Sequence, residues 1–441
     1  MTPNVLLYER PYTKVFFRKV VNGVFENCNL ITLSEYKNCS DIWQSSFLYD
    51  KSLDDFAELC DESTTRDIVN RCRTLRIMDY SRAKRIVQRT WAGVANLFEK
   101  QKIDYVISLS LDNYVIDIIF RLAAIFDVPV YSFLGSFAEG YVRFTLRGEH
   151  NFLHRGVSKE ESEQLLSKLM KSYYLPPSET ESSRRSLWSV RKWYLRRKTI
   201  EDIYYPLMKL ITRDPDNARY NMLNLKGIRF NDCVSSELKS IFTKVDEIAI
   251  DRKKAVYFPL HFCPEATTDY YIDRPTECGG YIEYILDVIS NSDPDILFLI
   301  KEHPSMYGER LISDYKRILE FPNAVLIHPQ ERSNKILELI DTVVVDNGTV
   351  GVESLLRGKK VLALDRSYYS GLHNNLYQIN YVKKDMMGLP QWEYDPIPFI
   401  SKLLDGWIEG DYKHSNDQSH YDPQPVAQAI RRMINEGIRL G

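Results

Sequence analysis

Short apolar runs alternate with longer amphipathic stretches in both halves of this 441-residue chain. Because parallel strands are joined by crossover helices, this alternation predicts an α/β fold with parallel sheets. The predicted strands of the first half are residues 4–8, 29–33, 104–109 and 129–133. Those of the second half, which form a doubly wound sheet, are residues 255–259, 296–301, 324–328, 342–345 and 361–364.

The length of the chain exceeds one ordinary hydrophobic core, so more than one domain is expected. The middle of the chain is charged, largely helical and without a series of strands. The predicted division is a first α/β domain at 1–157, a helical linker or insertion at 158–250, a second α/β domain at 251–395 and a C-terminal helical segment at 396–441.

The charge and the cysteines exclude several classes of protein. A formal net charge of −2 provides no overall attraction to nucleic acid. The seven cysteines are scattered without a Cys-x-x-Cys pair, which is typical of reduced thiols rather than of disulfides or a zinc site. The first ten residues already include charged side chains, which is not typical of a signal peptide. No apolar run approaches the ~20 residues that span a bilayer, so a cytoplasmic protein is expected.

Metal chemistry has little support in the sequence. Two Asp-x-Asp matches occur, at 214–216 and 293–295, and both are interpreted as turns. No HExxH, P-loop or GxGxxG motif is present. The sequence therefore gives no support to a metalloprotease, a P-loop NTPase or a conventional dehydrogenase. We therefore predict no metal site.

Polar clusters directly follow three predicted strands of the second half. The first contains His261, Glu265, Thr267 and Thr268; the second contains Lys301, Glu302, His303 and Pro304; the third contains Asn347, Gly348, Thr349 and Glu353. The carboxyl ends of parallel strands lie at one edge of a sheet. We therefore expect the three clusters to form one ligand site.

The third cluster suggests a phosphate site. Asn347 and Gly348 predict a tight turn in which Gly348 is free to adopt a positive φ. Thr349 would cap the next helix, whose free N–H groups suit a phosphate, and Glu353 would accept hydrogen bonds from ribose hydroxyls. The alternative is an ordinary helix N-cap with a glutamate favoured by the helix dipole.

The other two clusters offer further phosphate contacts. His303 can donate to a phosphate oxygen from a turn stiffened by Pro304, although a structural histidine is the alternative. A second His-Pro pair occurs at His328 but is not preceded by Lys-Glu, and it is predicted to be a connector. The hydroxyls of Thr267 and Thr268 could bond phosphates or the transferred group together with Glu265. A helix N-cap and turn is equally compatible with that segment.

The motifs FPLHFCPEATT, KEHP and DNGTVGVESLLRGKKVLAL, in this order, resemble the bacterial capsule polysaccharide biosynthesis family, which includes β-Kdo transferases. The resemblance covers residues 256–365. Cys263 stands where the family usually has Gln, and Lys360 stands where it often has Pro. The resemblance implies a metal-independent GT-B glycosyltransferase, in which two Rossmann-like domains face each other across a cleft. It also implies that the C-terminal domain binds the nucleotide-sugar and that the last helix crosses back.

The resemblance also bears on the donor. A pair similar to His303-Pro304 occurs in bacterial sialyltransferases and in teichoic-acid glycerophosphotransferases that use CDP-glycerol. By analogy, a CMP-activated Kdo-like or nonulosonic acid is the expected donor, and no cofactor is needed beyond this co-substrate. His261 is then a candidate contact for the acidic sugar or for the acceptor.

The chemistry requires a carboxylate near the anomeric carbon, as a base or as a nucleophile. In the GT-B arrangement the first domain should supply it, and Glu139, Asp112 and Glu149 are the candidates after its strands. Arg143 and Arg147 could pair with the carboxylate of an acidic sugar. The alternative is a surface hairpin with solvated charges.

Residues 184–198 are basic and contain three aromatic residues, which is typical of a helix that contacts anionic lipid. Such a contact would place the chain beside a saccharide or lipid-linked saccharide acceptor. The alternative is a solvated helix whose tryptophans pack on the domain. The rival functions are a CDP-glycerol-type phosphotransferase, an epimerase of similar build, and a non-catalytic capsule assembly or export protein.

Overall fold

The computed structural model describes residues 2–53, 60–171, 187–213, 236–272, 280–391, 395–412 and 421–440. The chain forms two compact units. The first unit comprises Met1–His154, Glu201–Leu223 and Gly406–Gly441, and the second comprises Arg155–Ile200 and Asn224–Asp405. The Asp-x-Asp match at 214–216 and residues 184–186 of the basic segment lie outside the described residues.

The first half of the chain begins with alternating strands and helices and ends in helices. Its elements are β1 (Asn4–Tyr8), α1 (Lys14–Val24), β2 (Asn29–Ser34), β3 (Ile42–Trp43), α2 (Glu62–Arg71), α3 (Tyr80–Gln101), β4 (Tyr105–Leu109), α4 (Tyr114–Ile125), β5 (Val130–Gly135), β6 (Tyr141–Phe144), α5 (Lys159–Leu169), α6 (Leu187–Thr199) and α7 (Tyr205–Thr212).

The second half repeats the alternation. Its elements are α8 (Ser236–Ser240), β7 (Ala255–Pro259), α9 (Ala266–Asp269), α10 (Tyr281–Asn291), β8 (Leu297–Lys301), α11 (Ile312–Leu319), β9 (Ala324–Ile327), α12 (Ser333–Leu339), β10 (Thr342–Val345), α13 (Thr349–Leu355), β11 (Lys360–Ala363), β12 (Leu376–Gln378), α14 (Lys384–Met387), α15 (Pro396–Asp405), β13 (Trp407–Glu409) and α16 (Gln424–Asn435).

The first unit is built on a sheet in which, among the described residues, seven strands follow the order β13-β6-β5-β4-β1-β2-β3. The strands from β5 to β3 are parallel, while β6 and β13 are antiparallel to their neighbours. The sequence pattern did not predict β6 or β13, because β6 lies in a charged stretch and β13 has only three residues. Trp407 of β13 is fully buried and pairs with Arg143 of β6.

The second unit is built on a parallel sheet whose described strands, six in number, follow the order β12-β11-β10-β7-β8-β9. The chain runs outwards through β7, β8 and β9 and then returns to place β10 beside β7. The strand order therefore reverses between β7 and β10. In open α/β sheets a ligand binds beyond the carboxyl ends of the strands at such a reversal.

Both sheets are buried on two faces, which explains the continuous apolar runs of the sequence. All four residues of β10 are buried, as are residues 5–8 of β1. Successive strand residues point to opposite faces, so helices cover both sides. This confirms the predicted α/β class with two parallel-sheet units; the predicted arrangement of two domains across a cleft stays a prediction.

The helical middle of the chain does not form a compact unit of its own. Helix α5 packs against α15, and Arg155 strengthens this contact. Its Nε donates to the Leu404 carbonyl at 2.9 Å, and its backbone N–H donates to Asp405 at 3.1 Å. None of the helices in the described ranges is long and apolar enough to cross a bilayer.

We predict that Gly135→Ala destabilises the first unit. A methyl group at Gly135 would lie 2.3 Å from the Tyr412 carbonyl oxygen, so the main chain must shift. We expect a loss of ~2 kcal/mol, seen as a lower Tm. Gly388→Ala is the control, because its φ is −87° and the added methyl meets only the Asp385 carbonyl, at 3.5 Å. Equal Tm values for both variants would contradict the close contact between β5 and residue 412.

Candidate functional site

The loops that follow β7 and β10 meet at the reversal of the second sheet. Asn347 Nδ2 donates to the Thr267 carbonyl at 3.1 Å. The His261 ring lies against Gly348, where an added methyl group would be 3.0 Å from Cε1. The structure therefore brings the first and third polar clusters together, as the strand positions predicted.

The buried hydroxyl of Tyr281 links the same two loops. It donates to Asp346 Oδ2 at 3.1 Å and accepts from the His261 backbone N–H at 3.0 Å. Burial, and then the Asp346 carboxylate, raise the pKa of Tyr281 well above its ordinary value, so the hydroxyl keeps its proton. The sequence analysis assigned no role to Tyr281 or Asp346, although Asp346 directly follows β10.

His261 is a neutral group at this site. Burial lowers its pKa to about 4, and the negative charge of Glu265 opposes this only partly. Its Nε2 lies 3.7 Å from Asp346 Oδ2. At neutral pH His261 therefore offers a ligand a hydrogen-bonding imidazole without a positive charge.

The turn after β10 differs from its predicted form. Gly348 has a φ of −71° and is the N-cap of α13, so the predictions of a positive φ and of a Thr349 cap are both wrong. Thr349 is instead the first residue of α13, and Glu353, one turn later, is half-buried. The glycine that packing requires is Gly351, where a methyl group would lie 2.2 Å from the Tyr369 hydroxyl oxygen.

His303 joins the second cluster to the first. Its ring packs edge-on against Phe262 with 5.8 Å between centroids, and Pro304 opens the 3-10 turn Pro304–Met306. Nδ1 accepts the Ser305 N–H at 3.2 Å. The neutral ring therefore carries its proton on Nε2, which makes Nε2 a hydrogen-bond donor.

Glu302, predicted as a donor-binding residue, is buried among side chains of its own unit. Its carboxylate is fully buried and accepts hydrogen bonds from Arg310 Nε at 2.5 Å and from the Tyr315 hydroxyl at 3.0 Å. It also accepts the His303 N–H at 2.7 Å. A buried carboxylate needs such partners, so Glu302 supports the loop that carries His303.

Lys301 is also buried rather than presented at the sheet edge. Its carbonyl accepts the Leu260 N–H at 2.8 Å, and this bond holds the loops after β7 and β8 side by side. The burial of the Lys301 side chain therefore disagrees with its predicted contact to the nucleotide-sugar.

The Glu265 segment adopts the alternative that the sequence analysis left open. Thr267 Oγ1 donates to the Glu265 carboxylate at 2.9 Å, and Thr268 Oγ1 donates to the Glu265 carbonyl at 3.0 Å. Glu265 is the N-cap of α9. Both hydroxyls therefore stabilise their own turn, and the predicted phosphate contact of Thr268 disagrees with the burial of this residue.

Two of the predicted catalytic carboxylates of the first unit have structural partners. Arg10 bonds both oxygens of Asp112, at 2.6 and 2.7 Å. Glu149 accepts the backbone N–H groups of Leu146 at 2.5 Å and Arg147 at 2.6 Å. These bonds disfavour Asp112 and Glu149 as bases, whereas Glu139 is exposed between β5 and β6.

The two predicted sugar-binding arginines lie in the same part of the first unit, Arg143 in β6 and Arg147 shortly after it. Arg143 is buried and donates to the Gly148 carbonyl at 3.1 Å. Arg147 lies 3.4 Å from the buried Asp117 carboxylate. Arg143 therefore stabilises its own segment as a buried group, which differs both from a sugar contact and from the alternative of a hairpin with solvated charges.

No group of three or more His, Cys, Asp and Glu side chains that could hold a metal ion occurs within the part of the chain that the structure describes.

Comparison with known proteins confirms the resemblance found in the sequence. Residues 264–376 match the family of capsule polysaccharide biosynthesis proteins. A search of curated proteins finds no match.

Several solved structures are similar to the chain over most of its length. The Thermosulfurimonas dismutans KpsC β-Kdo 2,7 transferase is 9% identical over 98% of this chain and 99% of its own, with a TM-score of 0.37. UDP-GlcNAc 2-epimerase from Neisseria meningitidis is 14% identical over 99% and 100%, with a TM-score of 0.27. These values are too low to assign an activity, so the family match is the finding that bears on function.

We predict that His261 makes stability depend on pH. Its folded pKa of about 4 lies below the unfolded value of ~6.5, so protonation favours the unfolded chain. The titration of this histidine alone should therefore lower the free energy of unfolding by ~2 kcal/mol between pH 7 and pH 5. Chemical unfolding at both pH values should show that His261→Gln loses less stability than the wild type. The exposed His154→Gln is the control, and matching profiles for His261→Gln and the wild type would refute the effect.

Proposed function

Because residues 264–376 match the family of capsule polysaccharide biosynthesis proteins, we propose that this chain is a glycosyltransferase that moves a sugar from a nucleotide donor to a growing surface polysaccharide. The observation that carries the proposal is the meeting of three strand-end loops in the second unit. The bond from Asn347 to Thr267 and the packing of Phe262 on His303 bring these loops together.

His303 is the proposed phosphate ligand of the donor. Its Nε2–H is a hydrogen-bond donor, and the Glu302 carboxylate fixes the loop by accepting the His303 backbone N–H. A neutral or protonated imidazole stabilises the negative charge that develops on a leaving phosphate. The proposed reaction is metal-independent, so such hydrogen-bond donors carry this role.

Asn347 is the proposed partner of a donor hydroxyl or amine. Its Oδ1 is buried and has no hydrogen-bond partner among the described residues, while its Nδ2 is bound to Thr267. An unsatisfied buried oxygen costs free energy that a ligand donor can recover. Thr349 and Glu353 lie on the same loop and helix; the helix start at Thr349 remains the proposed phosphate contact, and Glu353 remains the proposed ribose contact.

The proposed donor is a CMP-activated Kdo-like or nonulosonic acid, and the acceptor is a saccharide or a lipid-linked saccharide. The similarity to a family that includes β-Kdo transferases supports this choice. Glu139 is the proposed catalytic carboxylate, since its exposure distinguishes it from Asp112 and Glu149.

We predict that CMP raises the Tm of the full chain more than CDP, UDP or GDP does. His303→Ala should weaken CMP binding by about tenfold or more, because a hydrogen bond to a charged group is lost. Isothermal calorimetry measures the affinity. His328→Ala is a close control, since His328 precedes a proline after the neighbouring strand and its Nδ1 also accepts a backbone N–H, at 3.2 Å.

The nucleotide series also separates the alternatives. Stabilisation by CDP alone would favour a CDP-glycerol-type phosphotransferase, and stabilisation by UDP alone would remove the ulosonic-acid proposal. A chain that binds none of the four nucleotides would be a non-catalytic assembly protein. Equal CMP affinity in His303→Ala and His328→Ala would contradict the role of His303.

We also propose that the basic segment 184–198 contacts an anionic membrane surface. Within its described part, α6 exposes Trp188 by 69% and Leu195 by 59% of their surface. Lys192 Nζ lies 5.7 Å from the Trp188 ring centre. Apolar side chains beside basic ones suit the interface of an anionic bilayer.

We predict that the chain sediments with vesicles of phosphatidylglycerol and phosphatidylcholine but not with phosphatidylcholine alone. Trp188→Ser combined with Leu195→Ser should lower the bound fraction, with an affinity loss of about tenfold, because two apolar side chains no longer enter the interface. Ile125→Ser is the control, since Ile125 is 67% exposed on another helix. Binding that is unchanged in the double variant would exclude this segment.

A further inference from the structure

The first sheet also reverses its strand order, and a polar cluster stands at that reversal. The chain places β2 and β3 on one side of β1 and β4 and β5 on the other. The carboxyl ends of β1 and β4 therefore border the position where an open α/β sheet binds a ligand. Five side chains with hydrogen-bonding groups follow β1, β2 and β4 here, and we refer to them as the strand-end cluster: Tyr8, Arg10, Glu35, Asp112 and Asn113.

Glu35 is at the centre of one half of the strand-end cluster. Its Oε2 accepts the Tyr8 hydroxyl at 2.6 Å and Asn113 Nδ2 at 2.9 Å. Asn113 Oδ1 meanwhile accepts the Ile116 N–H at 2.9 Å and caps α4. The cap turns the Asn113 amide nitrogen towards Glu35, so the carboxylate is held in one orientation before any ligand arrives.

Arg10 and Asp112 form the other half. Their two hydrogen bonds form a bidentate pair, and Arg10 Nη1 also donates to the Tyr12 hydroxyl at 2.9 Å. The Arg10 carbon Cζ lies 5.6 Å from the centre of the Tyr8 ring. The side chains of Arg10 and Asp112 are 12% and 19% exposed, so this half of the cluster reaches the surface.

The composition of the cluster indicates the chemistry of its ligand. Removing a carboxylate and a guanidinium from water is costly, and an apolar pair would stabilise the fold equally well. The Arg10 guanidinium is already paired with the Asp112 carboxylate, and the Arg73 guanidinium donates to the Asp112 carbonyl at 3.0 Å. Glu35 adds a second negative charge, which disfavours a phosphate. Hydroxyl, amide and carboxylate groups side by side suit a ligand whose own hydroxyls both donate and accept.

We propose that the strand-end cluster binds the saccharide acceptor through its hydroxyl groups, with Glu35 as the principal hydrogen-bond acceptor. This inference rests on the proposed glycosyltransferase function and supplies it with a substrate site in the first unit. Asp112, considered from the sequence as a catalytic carboxylate, has the different role of orienting Arg10.

The test is a glycan array of defined bacterial oligosaccharides, probed with the fluorescently labelled full chain. The wild type should bind a subset of these oligosaccharides. Glu35→Gln keeps the size of the side chain but removes its charge, and Tyr8→Phe removes only the hydroxyl oxygen. Each should lower the apparent affinity for that subset by about tenfold or more.

Two measurements separate loss of the ligand contact from loss of the fold. The Tm and the CMP affinity of Glu35→Gln should match those of the wild type, because CMP is expected in the second unit. Glu26→Gln is the matched control, since it removes an exposed carboxylate of the same unit that has no proposed role. Glu35→Gln should bind glycans less well than Glu26→Gln does.

The possible outcomes distinguish this inference from the proposed function. A wild type that binds none of the oligosaccharides, or a Glu35→Gln variant that binds them as Glu26→Gln does, overturns the acceptor site. A wild type that binds oligosaccharides through Glu35 but transfers no sugar from any nucleotide donor overturns the glycosyltransferase and leaves the saccharide site in place.

Discussion

One buried hydroxyl, that of Tyr281, organises the edge of the second sheet. It satisfies the His261 N–H and one oxygen of Asp346, and so connects the loops after β7 and β10. A backbone donor and a carboxylate buried at a strand end are costly without partners. The positions of Asn347 and Gly348, and through them the proposed donor site, depend on this contact.

Both sheets place polar groups at the point where strand order reverses, but the two sets differ in chemistry. The second sheet presents the neutral imidazole of His261 and the amide of Asn347, which suit a ligand that already carries negative charge. The first sheet presents a paired guanidinium and carboxylates, which suit a ligand rich in hydroxyl groups. The difference follows from the residues directly after each strand, because the position itself is set by topology.

Several polar residues that the sequence pattern indicated as ligand-binding or catalytic groups bond their own chain in the structure, and these bonds share one cause. Glu149 and Thr268 bond main-chain groups of their own turns, and Glu302 bonds the His303 N–H and the Arg310 side chain. A loop that leaves a buried strand has main-chain donors and acceptors of its own to satisfy. Short polar side chains nearby meet that need first, and a linear sequence does not show whether any are left for a ligand.

The sequence by itself determined the α/β class, most strands of both units and the gathering of polar motifs at the carboxyl edge of the second sheet. These follow from the period of apolar residues and from the geometry of parallel strands, which are local properties. Only the tertiary structure decided that Glu302 is a support for His303, that Trp407 completes the first sheet, and that Glu35 lies beside Asn113. Each of these depends on contacts between segments far apart in the chain, and side-chain burial and pairing are set there rather than by local pattern.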